Sequence, residues 1–151
     1  MQKLSKKKNS KIGILGGTFD PPHIGHLHIS KIALKKFKLN KIIWIVTKQN
    51  PLKQKPLLNA KLRIKLSKDI TKRERKIVVK YLDNKTKLKN TFDLLTFLKK
   101  KNNKAKLFFL IGSDNLIKFH KWKKWSKIPK LAKLVVFARQ NYSVKALNSL
   151  A

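Results

Sequence analysis

Apolar residues recur along this chain in two alternating rhythms. Five short runs are apolar at successive positions: Lys11–Leu15, Lys41–Val46, Lys76–Tyr81, Lys106–Ile111 and Lys133–Ala138. Between them the apolar positions fall three and four apart. Leu27, Ile29, Ile32, Ala33, Leu34 and Phe37 follow the first run, Leu62, Leu66 and Ile70 the second, and Phe92, Leu95 and Leu98 the third. Continuous apolar runs predict strands buried on both faces, and the wider spacing predicts helices with one inward stripe. Asn59 is placed to cap the second helix, which should run through Asp69, and Asn90 or Thr91 to cap the third. Thr47–Leu58, with Asn50-Pro51 and Pro56, predicts a loop. Together these elements predict an α/β, doubly wound, five-stranded parallel sheet with helices on both faces. Ligands of such sheets bind at the carboxyl ends of the strands. That rule pools Gly16–His26, Thr47–Lys53, Gly112–Asp114 and Arg139.

A length of 151 residues suits one domain with a real core, and no internal repeat or linker divides it. The charge changes the picture more. Lys and Arg number 39 against six Asp and Glu, a formal net charge of +33. Such an excess points to polyanions. Yet the lysines are spread along the whole chain, and Lys, Asn and Ile are residues of A- and T-rich codons. Nucleic acid is therefore not the expected main partner, although a basic surface draws anionic substrates. With no cysteine, disulfides and thiolate metal sites are excluded. No apolar run reaches membrane-spanning length, so no membrane partner is expected. Residues 1–10 are Lys-rich without an apolar centre, which predicts a disordered basic arm before a domain over 11–151 and a cytoplasmic protein.

The candidate chemistry begins where the first strand meets the first helix, in Gly16-Gly17-Thr18-Phe19-Asp20-Pro21-Pro22-His23-Ile24-Gly25-His26-Leu27. Two glycines let the backbone bend sharply and approach a ligand closely. His23 and His26, three apart, share a face at the helix opening, where free N–H groups and the positive dipole end suit a phosphate. After the fourth strand, Gly112-Ser113-Asp114-Asn115 offers Ser113 as a helix cap, and Trp122 and Trp125 share a helical face that by itself reads as core.

His23-Ile24-Gly25-His26 closely resembles the (T/H)xGH signature of the nucleotidyltransferases, and the extended GGTFDPPHIGHL resembles the nicotinate-nucleotide adenylyltransferases most. The resemblance runs from Lys11 to about Tyr142 and implies a Rossmann-like fold. It implies that Gly16, Gly17, Thr18, Phe19 and Gly112 line an ATP site, and that His23 and His26 hold the phosphates and stabilise developing charge. Gly112 to Trp122 resembles the family's (I/M)G-x-D-x-L…F-x-x-W segment. This implies that Asp114 meets the nucleotide or its ribose and that Trp122 stacks on the nicotinate ring. By the same match Lys53, Thr91 and Arg139 meet carboxylate or phosphate; taken without it they are a surface lysine, a helix cap and a solvent-facing arginine. Asn90 stands where the family has Tyr. The family's final ISSTxxR-like segment has no counterpart after Tyr142, which suggests a C-terminally truncated piece or an enzyme without that clamp.

The expected activity is adenylyl transfer from ATP to nicotinate mononucleotide, giving deamido-NAD and pyrophosphate, with Mg²⁺ arriving on ATP. The alternatives are another transferase of the superfamily, such as a phosphopantetheine adenylyltransferase, or an inactive basic nucleotide- or RNA-binding module. Oligomeric state is left open.

Overall fold

A computed structural model describes residues 10–48, 55–82, 88 and 90–138. The expected basic arm (apart from Ser10), Lys53, Arg139 and the segment beyond Tyr142 lie outside the described residues. Strands β1 (Lys11–Gly17), β2 (Lys41–Thr47), β3 (Ile77–Leu82), β4 (Lys106–Gly112) and β5 (Lys133–Phe137) alternate with helices. The helices are α1 (Ile24–Lys36), α2 (Ala60–Thr71), α3 (Thr91–Lys101), α4 (Ser113–Lys118) and α5 (Ile128–Leu131), with two short 3₁₀ turns between α4 and α5.

All neighbouring strands pair in parallel, in the order β3-β2-β1-β4-β5. The strands bury alternate residues on opposite faces, as a pleat with a period of two requires. Ile12, Ile14, Ile43, Ile45, Leu107, Phe109 and Ile111 meet Leu94, Leu95 and Leu98 of α3 and Ile128 of α5 on one face. Leu15, Ile42, Trp44, Val46, Phe108 and Leu110 meet Ala33 of α1 on the other, with Ile64 and Ile70 of α2 packed against them. The doubly wound Rossmann-like sheet expected from the sequence is therefore the one observed. Its connections leave β1 in one direction through β2 and β3, and return to β1's other side through β4. The switch point lies between β1 and β4, where such folds bind their ligands.

Three local expectations need correction. β1 continues through Gly16 and Gly17, which pair with Ile45 and Val46. The sharp bend comes later, and its left-handed residue is Phe19, at φ 51°; no described glycine has a positive φ. On α2 the buried residues are Arg63, Ser67 and Thr71, while Leu62 is 37% exposed. A polar inward stripe is tolerated because Ser67 Oγ and Thr71 Oγ1 each donate to the carbonyl four residues back, at 2.8 Å. Ser113 is the first residue of α4 rather than its cap; Gly112 holds the cap position with no side-chain bond. For α3 the structure decides between the two candidates: Asn90 Oδ1 accepts from the Asp93 amide at 2.9 Å, and Thr91 is the first helical residue. No helix among the described residues is long and apolar enough to cross a membrane.

Candidate active site

His23 is the N-cap of α1. Its Nδ1 accepts from the Gly25 amide at 3.0 Å, and His26 Nδ1 accepts from the His23 amide at 3.1 Å. This is a reciprocal capping box in which two imidazoles replace the usual hydroxyl and carboxylate. The arrangement has a chemical consequence. A ring whose Nδ1 accepts a hydrogen bond carries its proton on Nε2 when neutral. Both capping bonds therefore use Nδ1 and not Nε2. The rings stack, with centroids 3.9 Å apart, at the amino end of α1 beside the carboxyl end of β1. His23 is exposed and His26 half-buried.

Gly25 is required by this geometry. A Cβ there would lie 2.7 Å from His23 Cε1 and 2.8 Å from its Nδ1, closer than packed atoms approach. A Cβ on Gly16 would meet nothing within 4 Å, so that strand end is open on the side where a side chain would stand.

His26 is supported from the core. Its ring lies 4.8 Å from that of Phe19, which stacks on Trp44 at 4.9 Å. Trp44 Nε1 donates to Ser30 Oγ at 2.8 Å, and Ser30 Oγ donates to the His26 carbonyl at 2.8 Å. Phe19 was expected to line an ATP site; the residue is 3% exposed, and its ring packs between those of His26 and Trp44.

The walls of the mouth are tied together by groups that motif reading misses. The Asp20 carboxylate accepts from the Leu57 and Leu58 amides at 2.6 and 2.8 Å. Thr47 Oγ1 donates to the Gly17 carbonyl at 3.2 Å. The Arg63 guanidinium, in a residue 2% exposed, donates to the carbonyls of Leu58, Thr18, Thr47 and Lys48. One signal for Arg63 was available: it is one of four arginines among 39 basic residues, set inside a helical stretch.

The second half of the site follows β4, the strand beside β1. Gly112 ends that strand, and half-buried Asp114 sits in the first turn of α4, where the helix dipole favours an acid. Trp122 is also half-buried. Its ring meets Phe119 at 5.2 Å and Phe109 at 6.2 Å, both edge to face, so part of it belongs to the core and part remains accessible. Thr91 opens α3 after the edge strand β3, two strands from β1. The fold thus brings Gly16–His26 and Gly112–Asp114 onto adjacent strand ends, and Thr91 opens the helix whose Leu94, Leu95 and Leu98 pack over β1, β2 and β4.

Residues 14–150 match the family described as cytidylyltransferase-like. Over 144 residues the chain is 49% identical to a Pelagibacter ubique (strain HTCC1062) protein named "Probable nicotinate-nucleotide adenylyltransferase", covering 95% of this chain and 79% of that one. A protein of the same name from Ruegeria sp. (strain TM1040) is 37% identical over 140 residues, covering 93% and 74%. Among solved structures, Plasmodium falciparum nicotinic acid mononucleotide adenylyltransferase complexed with NaAD superposes with a TM-score of 0.78 at 22% identity, over 93% of this chain and 71% of that one. This last likeness bears on the fold, and it agrees with the strand order and switch point described above. The family match and the two sequence relatives lead to one assignment, with which the histidine box agrees: the chain belongs to the cytidylyltransferase-like nucleotidyltransferases and, within them, to the nicotinate-nucleotide adenylyltransferase family.

Proposed function

We propose that this chain transfers the adenylyl group of ATP to nicotinate mononucleotide, in the cytoplasm, releasing deamido-NAD and pyrophosphate. The observation that carries the reading is the reciprocal histidine cap. It sets two imidazoles, each capping through Nδ1, at a helix amino terminus, beside an open strand end, at the switch point of the sheet.

The mononucleotide phosphate attacks the α-phosphorus of ATP in line, and the bond to the pyrophosphate oxygen breaks as the new P–O bond forms. No covalent enzyme intermediate is needed. The protein's part is positioning and charge stabilisation. His23 and His26 donate to phosphate oxygens as negative charge moves onto the leaving pyrophosphate. Gly16 and Gly17 leave room for the nucleotide, Thr18 offers main chain, Phe19 supports the His26 ring, and Gly112 closes the opposite side. Mg²⁺ enters as part of the Mg·ATP substrate: it favours phosphate oxygens and retained water, and among the described residues no three His, Cys, Asp or Glu side chains gather to hold an ion. Asp114 is assigned to the mononucleotide ribose, Trp122 to the nicotinate ring, and Thr91 to its carboxylate. Lys53 and Arg139 are assigned, from the sequence resemblance alone, to anionic groups of the substrates.

Adenylyl transfer to a different phosphate, such as that of phosphopantetheine, would use the same ATP half. The half-buried Trp122, on the segment that follows Asp114, favours a flat aromatic acceptor instead. The test is His26→Ala, assayed by pyrophosphate release with nicotinate mononucleotide and checked for fold by circular dichroism. Loss of a preorganised donor to the transition state should lower kcat by about 10²-fold or more. A folded variant with near-normal kcat would remove the histidines from the mechanism.

A further inference from the structure

We propose that Arg63 is a positioning residue for this reaction, holding the walls of the mouth at the separation the histidine pair requires; the proposal rests on the adenylyl-transfer reading above. Arg63 lies on α2, 45 residues from Thr18 and 16 from Thr47 in sequence, yet its Nη1 donates to both carbonyls, at 2.8 and 2.6 Å. Its Nη2 donates to the Lys48 carbonyl at 3.1 Å and its Nε to the Leu58 carbonyl at 3.0 Å. One side chain therefore joins the motif turn after β1, the end of β2 and the segment entering α2.

These acceptors are neutral. The two ion pairs found among the described residues, Lys31–Glu74 and Lys65–Asp69, do not involve Arg63. Burying a cation without a carboxylate is costly unless its donors are well satisfied. Four hydrogen bonds to fixed carbonyls supply that satisfaction, and the planar fork of a guanidinium suits them in a way that an ammonium does not. In a chain with four arginines among 39 basic residues, this interior node is an arginine.

The held segments lead directly to the chemistry. Thr18 precedes Phe19, whose ring contacts that of His26. Leu58 is gripped from both sides: its amide donates to Asp20 of the motif and its carbonyl accepts from Arg63. Losing the fork would let the motif turn and the β2 end separate, and His26 would leave its alignment while the substrates could still reach the mouth.

The experiment uses the full chain and compares Arg63→Lys, Arg63→Ala and, as a control on the surface, Arg75→Lys. Folding is followed by near-ultraviolet circular dichroism, and kinetics with ATP and nicotinate mononucleotide separate kcat from KM. Arg63→Lys should fold and lose about tenfold or more in kcat, with KM values changed by less than about threefold, because small misplacements of catalytic groups act on the transition state. Arg63→Ala should regain kcat on adding guanidinium at a non-denaturing concentration and not on adding ammonium. Arg75→Lys should match the wild type. Independently of turnover, ¹⁵N imidazole spectra should show His26 leaving its Nε2–H tautomer environment in Arg63→Lys. A folded Arg63→Lys with wild-type kcat and an unchanged His26 spectrum overturns the proposal. So does a variant that stays unfolded with both substrates at saturation, which would assign Arg63 to folding alone. A wild-type chain that makes no deamido-NAD, but whose His26 spectrum still responds to Arg63→Lys, overturns the proposed reaction and leaves Arg63 its positioning role.

Discussion

Gly25 shows how closely a single position is bound to the chemistry. Its missing Cβ is what allows the His23 ring to fold back over the backbone and accept from the Gly25 amide. In Gly25→Ala the added methyl occupies the space of that ring, so the ring must rotate away. The lost cap should cost about 1 kcal/mol, read by calorimetry as a Tm lower by about 2–4 °C. The misplaced imidazole should lower kcat by about tenfold or more, as loss of one transition-state contact does. Wild-type kcat in Gly25→Ala would mean that the His23 rotamer is immaterial. Trp122 is tested at the same scale. Its accessible part should stack on the nicotinate ring, so Trp122→Ala should weaken nicotinate mononucleotide by about 1–3 kcal/mol and leave ATP binding unchanged. Separate titration calorimetry of the two ligands measures this. Equal weakening of both would assign Trp122 to the core contacts with Phe109 and Phe119.

Among the elements, the strands were legible in the sequence because β1, β2 and β4 bury both faces, which leaves a continuous apolar run, and the edge strands β3 and β5 keep β-branched residues even where Val78 and Val136 are exposed. The motif histidines were legible because their spacing is local. Arg63, Asp20, Ser30 and Trp44 were not, and the reason is physical. They act through backbone groups or side chains far along the chain, up to 45 residues away for Arg63 and Thr18, and periodicity carries no record of such partners. The same blindness explains α2. Its leucines suggested an inward face, but the Arg63 fork and two back-bonded hydroxyls take that face. Two substitutions measure the difference by denaturant unfolding. Leu62→Gln, at a solvent-facing position, should change stability by less than about 0.5 kcal/mol. Leu95→Ala, in the fully buried stripe of α3, should cost about 2–5 kcal/mol. A large loss from Leu62→Gln would restore the leucine face as the packed one.

The whole molecule places its chemistry by topology. Reversal of strand order at β1 and β4 puts the histidine box and the Gly112–Asp114 turn side by side. The chain's net charge is +33, and among the described residues lysines occur in every strand and helix. Such a field raises the local concentration of anionic substrates and is screened by salt over about 8–10 Å; it does not itself choose among phosphates. Choice of acceptor therefore rests on the site, and the most direct measurement is a competition. The chain is incubated with Mg·ATP and equal concentrations of nicotinate mononucleotide, 4′-phosphopantetheine and ribose 5-phosphate, and the adenylylated products and pyrophosphate are quantified by mass spectrometry. The expected product is deamido-NAD, formed with an equal amount of pyrophosphate, with a preference in kcat/KM of about tenfold or more over the other acceptors, the scale set by one aromatic stacking contact. Adenylylated phosphopantetheine as the main product, or adenylyl transfer indifferent to the ring, would contradict it.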